Sequence, residues 1–521
     1  MDTKALRQKI LDLAIRGKLV PQDPNDEPAE VLLERIREQK QQMLKEGKLK
    51  KKDIKNDTII FKGEDNLHYE KFQDGTVKCI EDEIPFEVPE GWCWARFLAI
   101  TINRDSERKP ISASQRTDVE KIYDYYGASG KIDKIDKYIF DEKLLLIGED
   151  GANLVTRSKP IAFFAEGKYW VNNHAHCIDS PDKSILQFIC FFINAINLEK
   201  YVTGSAQPKM TQDNMNSILV ALPPYKEQQL ISQQLDIIWA SIDKIEFEKE
   251  NVLKLVDNAK SKILDLAIRG KLVSQDSNDE PASVLLERIR AEKEELIKQG
   301  KIKCDKKESV IFKGDDNSYY EKIDDEVFCI DEEISYDIPD TWSWMRLENC
   351  CIKEIRRGKS PQYTENSNTL VFAQKCNTKY NGINISLAQY LDENTLNRYP
   401  ADEYMQDGDV VINSTGTGTL GRVGIYRDFN NTTGLSIVPD SHVTIIRGFS
   451  CICSQYLYAF IKAHQSELEK KGEGSTNQKE LKPLTLKEML IAVPPLSEQK
   501  HIDKFINVAF SRLAIIEKSL N

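Results

Sequence analysis

The twelve residues Lys9–Val20 read KILDLAIRGKLV, and Lys262–Val273 repeat the same twelve letters. The match extends to Arg37 and Arg290, and its 29 aligned positions contain three differences. A repeat this close, at an offset of 253 residues, indicates that the chain is built on a duplicated scaffold.

Three further landmarks recur in the same order in both halves. They are IPFEVPEGWCWARF (Ile84–Phe97) and ISYDIPDTWSWMRL (Ile334–Leu347), GSAQPKM (Gly204–Met210) and GSTNQKEL (Gly474–Leu481), and LPPYKEQ (Leu222–Gln228) and VPPLSEQ (Val493–Gln499). With the last offset of 271, Asn521 falls opposite Glu250, whereas the first offset places Met1 opposite Lys254. The second copy therefore stops almost where the first begins. This predicts a cyclically permuted repeat with a pseudo-two-fold axis and neighbouring termini.

The element that joins the two halves is predicted to be one long helix. Between Glu227 and Gly270 there is neither proline nor glycine, and Gly270 suits a helix C-cap. Apolar residues recur there at alternating spacings of four and three, as in a coiled-coil seam, and the pattern continues in the last residues of the chain. The seam comprises Ile231, Leu235, Ile238, Ile242, Ile245, Val252, Val256 and Ile263 in the central helix, and Ile502, Ile506, Leu513 and Ile516 near the C-terminus. We expect an antiparallel coiled coil whose second helix is split between the two chain ends; the alternative is a helix that merely caps a globular core.

The segments between these helices are predicted to be α+β domains with mostly antiparallel sheets. Each carries strand-like, turn-rich text followed by one helix, over Leu186–Val202 and Ser454–Lys470. A short amphipathic helix and a lysine-rich stretch, read as a solvated linker, precede each domain. The predicted segments are residues 1–20, 21–83, 84–222, 223–273, 274–333, 334–493 and 494–521.

Composition excludes several classes of protein. Lys and Arg total 72 against 83 Asp and Glu, so the formal net charge of -11 rules out a protein that is basic over its whole surface, although a local basic face is still allowed. The 11 cysteines are scattered and the 6 histidines are few, so neither a disulfide framework nor a multi-histidine metal site is predicted. No signal peptide or membrane span is recognised, and we expect a cytoplasmic protein without a membrane partner.

No motif in the sequence predicts catalysis. Gly416–Gly421 is a literal GxGxxG, but the following RVGIYRDF alternates like a strand, so no helix would begin there to bind a pyrophosphate. LPPY at Leu222–Tyr225 has a partner without the tyrosine and is therefore structural. His174 and His176 could be metal ligands, although one packed and one exposed imidazole is the commoner arrangement.

Polar residues in the turn-rich segments are of the types that read base edges in DNA. In the first half the candidates are Ser129, Lys131, Asn153, Arg157, Asn172, Asn173, Gln207 and Lys209. In the second half they are Gln374, Lys375, Ser414, Thr415, Thr417, Arg422, Asn477, Gln478 and Lys479. Ordinary surface loops use the same residues, so each of them taken alone is equally compatible with a plain loop.

Taken together, the landmarks resemble the specificity subunits of type I restriction–modification systems. The resemblance covers nearly the whole chain and rests on the doubled KILDLAIRGKLV-xQDxNDEPA block, the P-x-x-W-x-W start of each domain, the G-S-x-(x)-Q-K loop and the PP-x-x-EQ motif before each long helix. The first loop reads GSAQPKM and departs from the QK pattern of the second.

The resemblance implies two target-recognition domains, each reading one half of a bipartite, asymmetric site on double-stranded DNA. The helical pair would set the spacing between them and dock two modification (methyltransferase) subunits, with restriction (translocase and nuclease) subunits completing the complex. S-adenosylmethionine, ATP and Mg would belong to those partners, and this chain would be non-catalytic. The alternatives are a single-chain methyltransferase or nuclease with its own reader, and a coiled-coil adaptor that binds only proteins.

Overall fold

The computed structural model describes residues 2–117, 120–204, 206–302, 309–379, 382–416, 418–474 and 479–520. Contacts divide the chain into two compact units, Met1–Lys249 and Glu250–Asn521. The boundary falls inside one long helix, which therefore contributes to both units.

The first unit contains nine of the helices that the structure describes, the last of them shared with the second unit. They are α1 (Thr3–Ile15), α2 (Ala29–Lys45), α3 (Lys51–Ile54), α4 (Phe97–Ile100), α5 (Ala113–Thr117), α6 (Asn153–Thr156), α7 (Leu186–Ala195), α8 (Gln212–Asn216) and α9 (Tyr225–Ile268). Its strands are β1 (Ile59–Lys62), β2 (His68–Lys71), β3 (Val77–Cys79), β4 (Cys93–Arg96), β5 (Ile102–Asn103), β6 (Tyr123–Gly127), β7 (Gly130–Ile135), β8 (Phe140–Asp141), β9 (Leu144–Gly148), β10 (Ala162–Ala165), β11 (Lys168–Val171), β12 (Ala175–Asp179) and β13 (Leu219–Leu222).

The sheets of the first unit are mostly antiparallel. Strands β1, β2 and β3 form a meander, and β4 pairs with β13. Two four-stranded sheets, ordered β10-β9-β12-β5 and β7-β6-β11-β8, form the centre of the domain, where β11 runs parallel to β6. Helix α7 supplies the buried side chains Phe188, Ile189 and Phe192 to the main apolar core.

The second unit repeats the plan with different strands. Its further helices are α10 (Ala282–Lys298), α11 (Ser454–Ala463), α12 (Gln465–Lys470), α13 (Pro483–Lys487) and α14 (Leu496–Leu520). Its strands are β14 (Ser309–Lys313), β15 (Tyr319–Ile323), β16 (Glu326–Cys329), β17 (Ser343–Arg346), β18 (Tyr363–Thr364), β19 (Thr369–Phe372), β20 (Gln389–Leu391), β21 (Val410–Asn413), β22 (Val423–Ile425), β23 (Ser436–Pro439), β24 (Val443–Ile446) and β25 (Leu490–Val493).

The sheets of the second unit are ordered β14-β15-β16, β17-β25, β18-β20-β19-β23 and β22-β21-β24, with β19 and β23 parallel. Both units are therefore α+β with mainly antiparallel pairing, as the sequence predicted.

A buried glutamate explains why three of the repeated motifs recur together in each half. Trp92 Nε1 donates to Glu227 Oε2 at 2.8 Å, and Gln22 Nε2 donates to Glu227 Oε1 at 3.0 Å. In the second unit, Trp342 and Gln275 donate to Glu498 at the same two distances, 2.8 and 3.0 Å. Each glutamate thus joins the start of a domain, the repeated block and the beginning of a long helix.

Helix α9 has 44 residues, about 66 Å at 1.5 Å per residue, and has an antiparallel neighbour within each unit. In the first unit, Arg7 in α1 bonds to Glu246, whereas the later residue Gln22 bonds to the earlier Glu227. In the second unit, Lys260 in α9 donates to Glu517 in α14 at 2.6 Å, whereas Gln275 donates to Glu498. In both units the partner number falls as the residue number rises, so the pairing is antiparallel.

The predicted seam residues differ in burial. Ile231, Leu235, Ile242, Val256, Ile502 and Ile506 are buried, and Ile238, Val252, Ile263 and Leu513 are half-buried. Ile245 and Ile516 are 44% and 41% exposed, so the expectation that they are buried in a helical seam is wrong in this structure. Ile245 lies near the middle of α9 and Ile516 near the end of α14.

Two further helix predictions need correction. The helix predicted over Leu186–Val202 ends at Ala195, where the Asn194 side chain turns back to accept from the backbone N–H of Ala162 at 3.0 Å. The helix predicted over Ser454–Lys470 is divided at His464, whose Nδ1 lies 2.9 Å from the Phe460 carbonyl. The His464 bond is local and competes for a helix carbonyl, whereas the Asn194 bond joins the last turn of α7 to β10.

Candidate nucleic-acid interface

Three connections meet at one edge of the first domain. They are residues 149–151 after β9, residues 172–174 between β11 and β12, and residues 203–210 before α8, of which 205 is not described; we call them cluster A. The Met210 N–H donates to the Glu149 carbonyl at 2.8 Å, and the Gly151 N–H donates to the Pro208 carbonyl at 2.9 Å. The Glu149 N–H donates to the His174 carbonyl at 2.9 Å. Backbone bonds therefore hold all three connections together.

Four predicted residues belong to cluster A. Asn173, Gln207 and Lys209 are exposed, whereas Asn172 is buried and its side-chain oxygen accepts from the His174 N–H at 2.8 Å. Asn172 therefore shapes the turn, and its three neighbours present polar groups to solvent.

The β6–β7 hairpin, which carries the predicted Ser129 and Lys131, is tied to cluster A. Tyr126 in β6 accepts a hydrogen bond from the Asn172 N–H at 3.1 Å. Lys131 itself pairs with Asp124 at 2.6 Å. The hairpin thus adds a fourth polar connection beside the cluster.

Two predicted residues of the first half make structural contacts instead. Asn153 Oδ1 accepts from the Lys159 N–H at 2.9 Å, closing a short turn after α6. The Arg157 guanidinium donates to the Asn194 carbonyl at 3.0 Å and to the Ile196 carbonyl at the end of α7. Burial lowers the pKa of Arg157. These side chains are occupied inside the domain.

A largely buried network of ionisable side chains contacts the loops of cluster A from the interior of the domain. His176 Nδ1 lies 2.6 Å from Asp105 Oδ2, and His176 Nε2 lies 3.0 Å from the Met210 carbonyl. Arg108 donates to Glu149 at 2.7 Å and pairs with Asp105 at 3.2 Å. Burial favours the neutral form of both carboxyl groups. Hydrogen bonds from His176 to Asp105 and from Arg108 to Glu149 outweigh this effect of burial, so the pKa values of Asp105 and Glu149 are lowered.

Asp105, Glu149 and His176 also bring three potential ligand atoms within 4.8 Å of one another. A metal ion would have to compete with Arg108, which pairs with both carboxylates, and with Lys209, whose Nζ lies 3.1 Å from Glu149. The two cations already balance the two carboxylates. The donor set therefore fits an ion-pair network that fixes the loops better than it fits a metal centre.

The second domain assembles an equivalent set of connections, which we call cluster B: residues 374–377, 413–416, 440–442 and 479–481. The Ser414 N–H donates to the His442 carbonyl and the Leu481 N–H donates to the Ser414 carbonyl, both at 2.8 Å. The Asn413 side chain donates to the Gln374 carbonyl at 3.2 Å. Cluster B is therefore held by the same kind of backbone bonds as cluster A.

Four predicted residues of the second half make side-chain contacts in or beside cluster B. Gln374 Oε1 accepts from Thr419 at 3.1 Å, and Arg422 donates to the Asn377 carbonyl at 2.8 Å. Thr415 Oγ1 lies 2.6 Å from His442 Nδ1. Ser414 is fully buried, and its hydroxyl lies 2.7 Å from that of Thr444, so it stabilises the strand and presents nothing to solvent.

Two further predicted residues, Lys375 and Lys479, lie in cluster B. Lys375 and Lys479 are exposed, and Lys375 donates to Gln389 at 3.1 Å. The predicted Thr417, Asn477 and Gln478 lie outside the described residues.

The described residues of the GxGxxG stretch, 416 and 418–421, lie in a turn between the antiparallel strands β21 and β22. The Gly421 N–H donates to the Asn413 carbonyl at 2.8 Å, and β22 then pairs with β21. As expected from the sequence, no helix among the described residues begins at these glycines.

Two histidines in these clusters were not among the predicted interface residues. His174 and His442 are both exposed and stand immediately before β12 and β24. A signal was present in the sequence: Asn172-Asn173-His174 and Asp440-Ser441-His442 each place an Asx residue two positions before a histidine, ahead of an apolar run. Because Asx side chains fix tight turns, the pattern marks a histidine held at a strand end.

No helix in the described part of the chain is both long and apolar enough to cross a membrane.

Comparison with known proteins identifies the family. The family model "Type I restriction modification DNA specificity domain" matches residues 101–255 and 339–521. The type I restriction enzyme EcoEI specificity subunit of Escherichia coli is 29% identical, over 95% of this chain and 87% of the relative. The EcoAI specificity subunit of Escherichia coli is also 29% identical, over 66% of this chain and 62% of the relative.

Among solved structures, a chain of a type I restriction–modification system aligns with a TM-score of 0.49 at 16% identity, covering 84% of this chain and 94% of its own length. The family model covers well over half of this chain, in two stretches. This protein therefore belongs to the type I restriction–modification DNA specificity family.

Proposed function

We propose that the chain reads a bipartite, asymmetric site on double-stranded DNA, with cluster A contacting one half-site and cluster B the other. The observation that carries this proposal is that the two clusters share backbone bonds and differ in side chains. Isolated bridges pair Asp150 with Lys209 in cluster A and Thr415 with Glu480 in cluster B. The same backbone arrangement thus carries Lys209 in one domain and Glu480 in the other. Different donors and acceptors suit different base edges.

The long helices are proposed to set the distance between the half-sites. Within each unit, α9 runs antiparallel to a second helix, which supports a rigid pairing along its length. Two readers on one face of B-DNA bind half-sites about one helical turn, roughly 34 Å, apart. A helix of about 66 Å is long enough to span that gap.

The same helices are proposed to dock two modification subunits. Apolar side chains that remain well exposed on α9 and α14 are Ile237 (61%), Phe247 (64%), Leu255 (65%), Phe505 (46%), Val508 (49%) and Ile515 (68%). Exposed apolar surface of this extent is typical of a protein interface. Restriction subunits would join through the modification subunits. We assign S-adenosylmethionine, ATP and Mg to those partners, and no catalytic step to this chain.

Partner subunits also explain how an acidic chain binds DNA. Affinity for a duplex depends on the cations that lie near phosphate, and the partners can supply them around a chain with a net charge of -11.

A co-purification experiment tests the docking surface. The chain is co-expressed with its modification subunit, and Phe247→Asp is compared with the neighbouring control Glu248→Gln. We expect the aspartate to abolish the complex, because it places a charge in an apolar interface, and the control to leave the complex intact. An unchanged complex with Phe247→Asp would contradict docking at this surface.

Binding measurements test the division of labour. The assembled complex should bind its duplex less tightly as salt rises, whereas the isolated chain should neither bind S-adenosylmethionine nor methylate DNA. Methylation by the isolated chain would instead support a single-chain enzyme.

A further inference from the structure

The residue immediately before β12 in the first domain and before β24 in the second domain is a histidine, although the two domains differ in sequence. The His174 N–H donates to Asn172 Oδ1, and the His442 N–H donates to Asp440 Oδ1, both at 2.8 Å. Their carbonyls accept from the N–H groups of residues 149 and 414, which occupy equivalent positions. Four backbone and side-chain bonds thus place the two imidazoles at the same point of the two frames.

Each imidazole is anchored through its Nδ1 atom. His174 Nδ1 lies 2.8 Å from Asp150 Oδ2, and His442 Nδ1 lies 2.6 Å from Thr415 Oγ1. Asp150 and Thr415 occupy corresponding positions, because each is the second residue after a strand, β9 or β21. Each also forms an isolated bridge, Asp150 with Lys209 and Thr415 with Glu480. The two imidazole rings are therefore held by residues at corresponding positions of the two clusters.

Anchoring at Nδ1 leaves the opposite edge of each ring available. The His174 side chain is 46% exposed, and His442 is also exposed. Among the described residues, neither Nε2 atom has a hydrogen-bond partner. His176 is different, because it is buried and both of its ring nitrogens have partners. An exposed, oriented nitrogen beside polar loop residues is a group suited to bind a ligand.

We infer that His174 and His442 are corresponding specificity-determining residues, each using Nε2 to contact a base edge in its own half-site. The inference rests on the proposed function of the two clusters and adds the contacting atoms.

The two anchors give the histidines different hydrogen-bonding character. A carboxylate only accepts, so the Asp150 anchor keeps a proton on Nδ1 of His174, and Nε2 of the neutral ring is an acceptor. It then suits the exocyclic amine of adenine or cytosine. The Thr415 hydroxyl can donate to Nδ1 of His442, which leaves Nε2–H as a donor for guanine or for thymine O4. One position thus reads different bases in the two half-sites.

Single-molecule mapping of methylated sites tests the inference in the assembled methyltransferase. His174→Ala should relax one base position in one half-site and lower the affinity for the cognate duplex about tenfold, the value of a lost directional hydrogen bond. His442→Ala should do the same in the other half-site only. Each variant is therefore the control for the other.

Two near-isosteric variants guard against loss of folding. Asp150→Asn and Thr415→Val alter the anchors and leave the histidines in place, and each should relax the same base position as the histidine variant of its own cluster.

The outcomes distinguish a failure of the histidine assignment from a failure of the proposed DNA-reading function. If none of the four variants changes the recognised sequence while the unaltered complex keeps a bipartite site, the histidine assignment is wrong and the reading function stands. If the unaltered complex shows no sequence-specific binding, the proposed function itself fails, and the inference falls with it.

Discussion

Glu227 and Glu498 show how single residues hold each domain to its long helix. Each carboxylate is almost fully buried and accepts from one tryptophan and one glutamine of its own unit. Burial raises the pKa of both groups, and the two N–H donors oppose that rise. Because the tryptophan, glutamine and glutamate come from three separate motifs, the bonds explain why those motifs are repeated together.

Replacing Gly17 by alanine should destabilise the first unit. Gly17 has a φ of +65°, and an added Cβ would lie 2.3 Å from Pro89 Cγ. The left-handed conformation alone costs about 1–2 kcal/mol for a residue with a Cβ, and the clash with a rigid proline ring adds to it. Urea unfolding of the purified complex measures the loss.

Gly47→Ala is the matched control for that substitution. Gly47 has a φ of +74°, but an added Cβ would meet nothing within 4 Å. The difference between the two variants isolates the contact with Pro89. Equal losses of stability would contradict close packing of this turn on the domain.

Acid should loosen cluster A before cluster B. The pKa values of Asp105 and Glu149 are lowered in the folded chain, so their contribution to stability is complete above the unfolded pKa of about 4 and is lost as the pH falls through the folded values. Burial raises the pKa of Asp409 and Asp440 in the second domain, so their protonation on acidification favours the folded state.

Hydrogen exchange, corrected for its intrinsic pH dependence, measures this difference. Amides of residues 172–176 should lose protection at a higher pH than those of residues 440–444. Simultaneous loss in both segments would contradict the role of the charge network under cluster A.

The candidate site was only partly predictable from single residues. Asn173, Gln207 and Lys209 meet in cluster A, but Arg157 is occupied by carbonyls at the end of α7, and Ser414 is buried. Residue type suggests which groups can bind DNA, but it does not show which loops come together. That depends on long-range backbone bonds, such as the one from Met210 to Glu149.

Helices were the most predictable elements. The absence of proline and glycine between Glu227 and Gly270 corresponds to the observed α9, which ends at Ile268 just before Gly270. The exposure of Ile245 and Ile516 was not predictable. The spacing of apolar residues indicates an apolar face on a helix, but it does not show how much of that face another helix buries. The contact between Asn194, in the last turn of α7, and Ala162 was not predictable either, because it joins residues that are far apart in sequence.

Inserting four residues after Lys249 should lengthen the unread spacer of the DNA site. The insertion falls in the middle of α9, where one added helical turn moves the two ends of the helix apart by about 6 Å, or roughly two base pairs. Both half-site sequences should be unchanged. Mapping of methylated sites tests this, and altered half-sites with an unchanged spacer would contradict a helical ruler.

At the scale of the whole molecule, the doubled sequence predicts a doubled architecture. Each half of the chain forms its own compact unit, and each unit carries one loop cluster built on similar backbone bonds. The near-identical scaffold and the dissimilar clusters fit a molecule in which reading is separable between the two halves.

The most direct test of that separation is to replace Ile84–Leu222 with the corresponding segment of another family member and to map the methylated sites in cells carrying the full complex. The account predicts that one half-site changes to that of the donor, while the other half-site and the spacer stay the same. A change in both half-sites would contradict it.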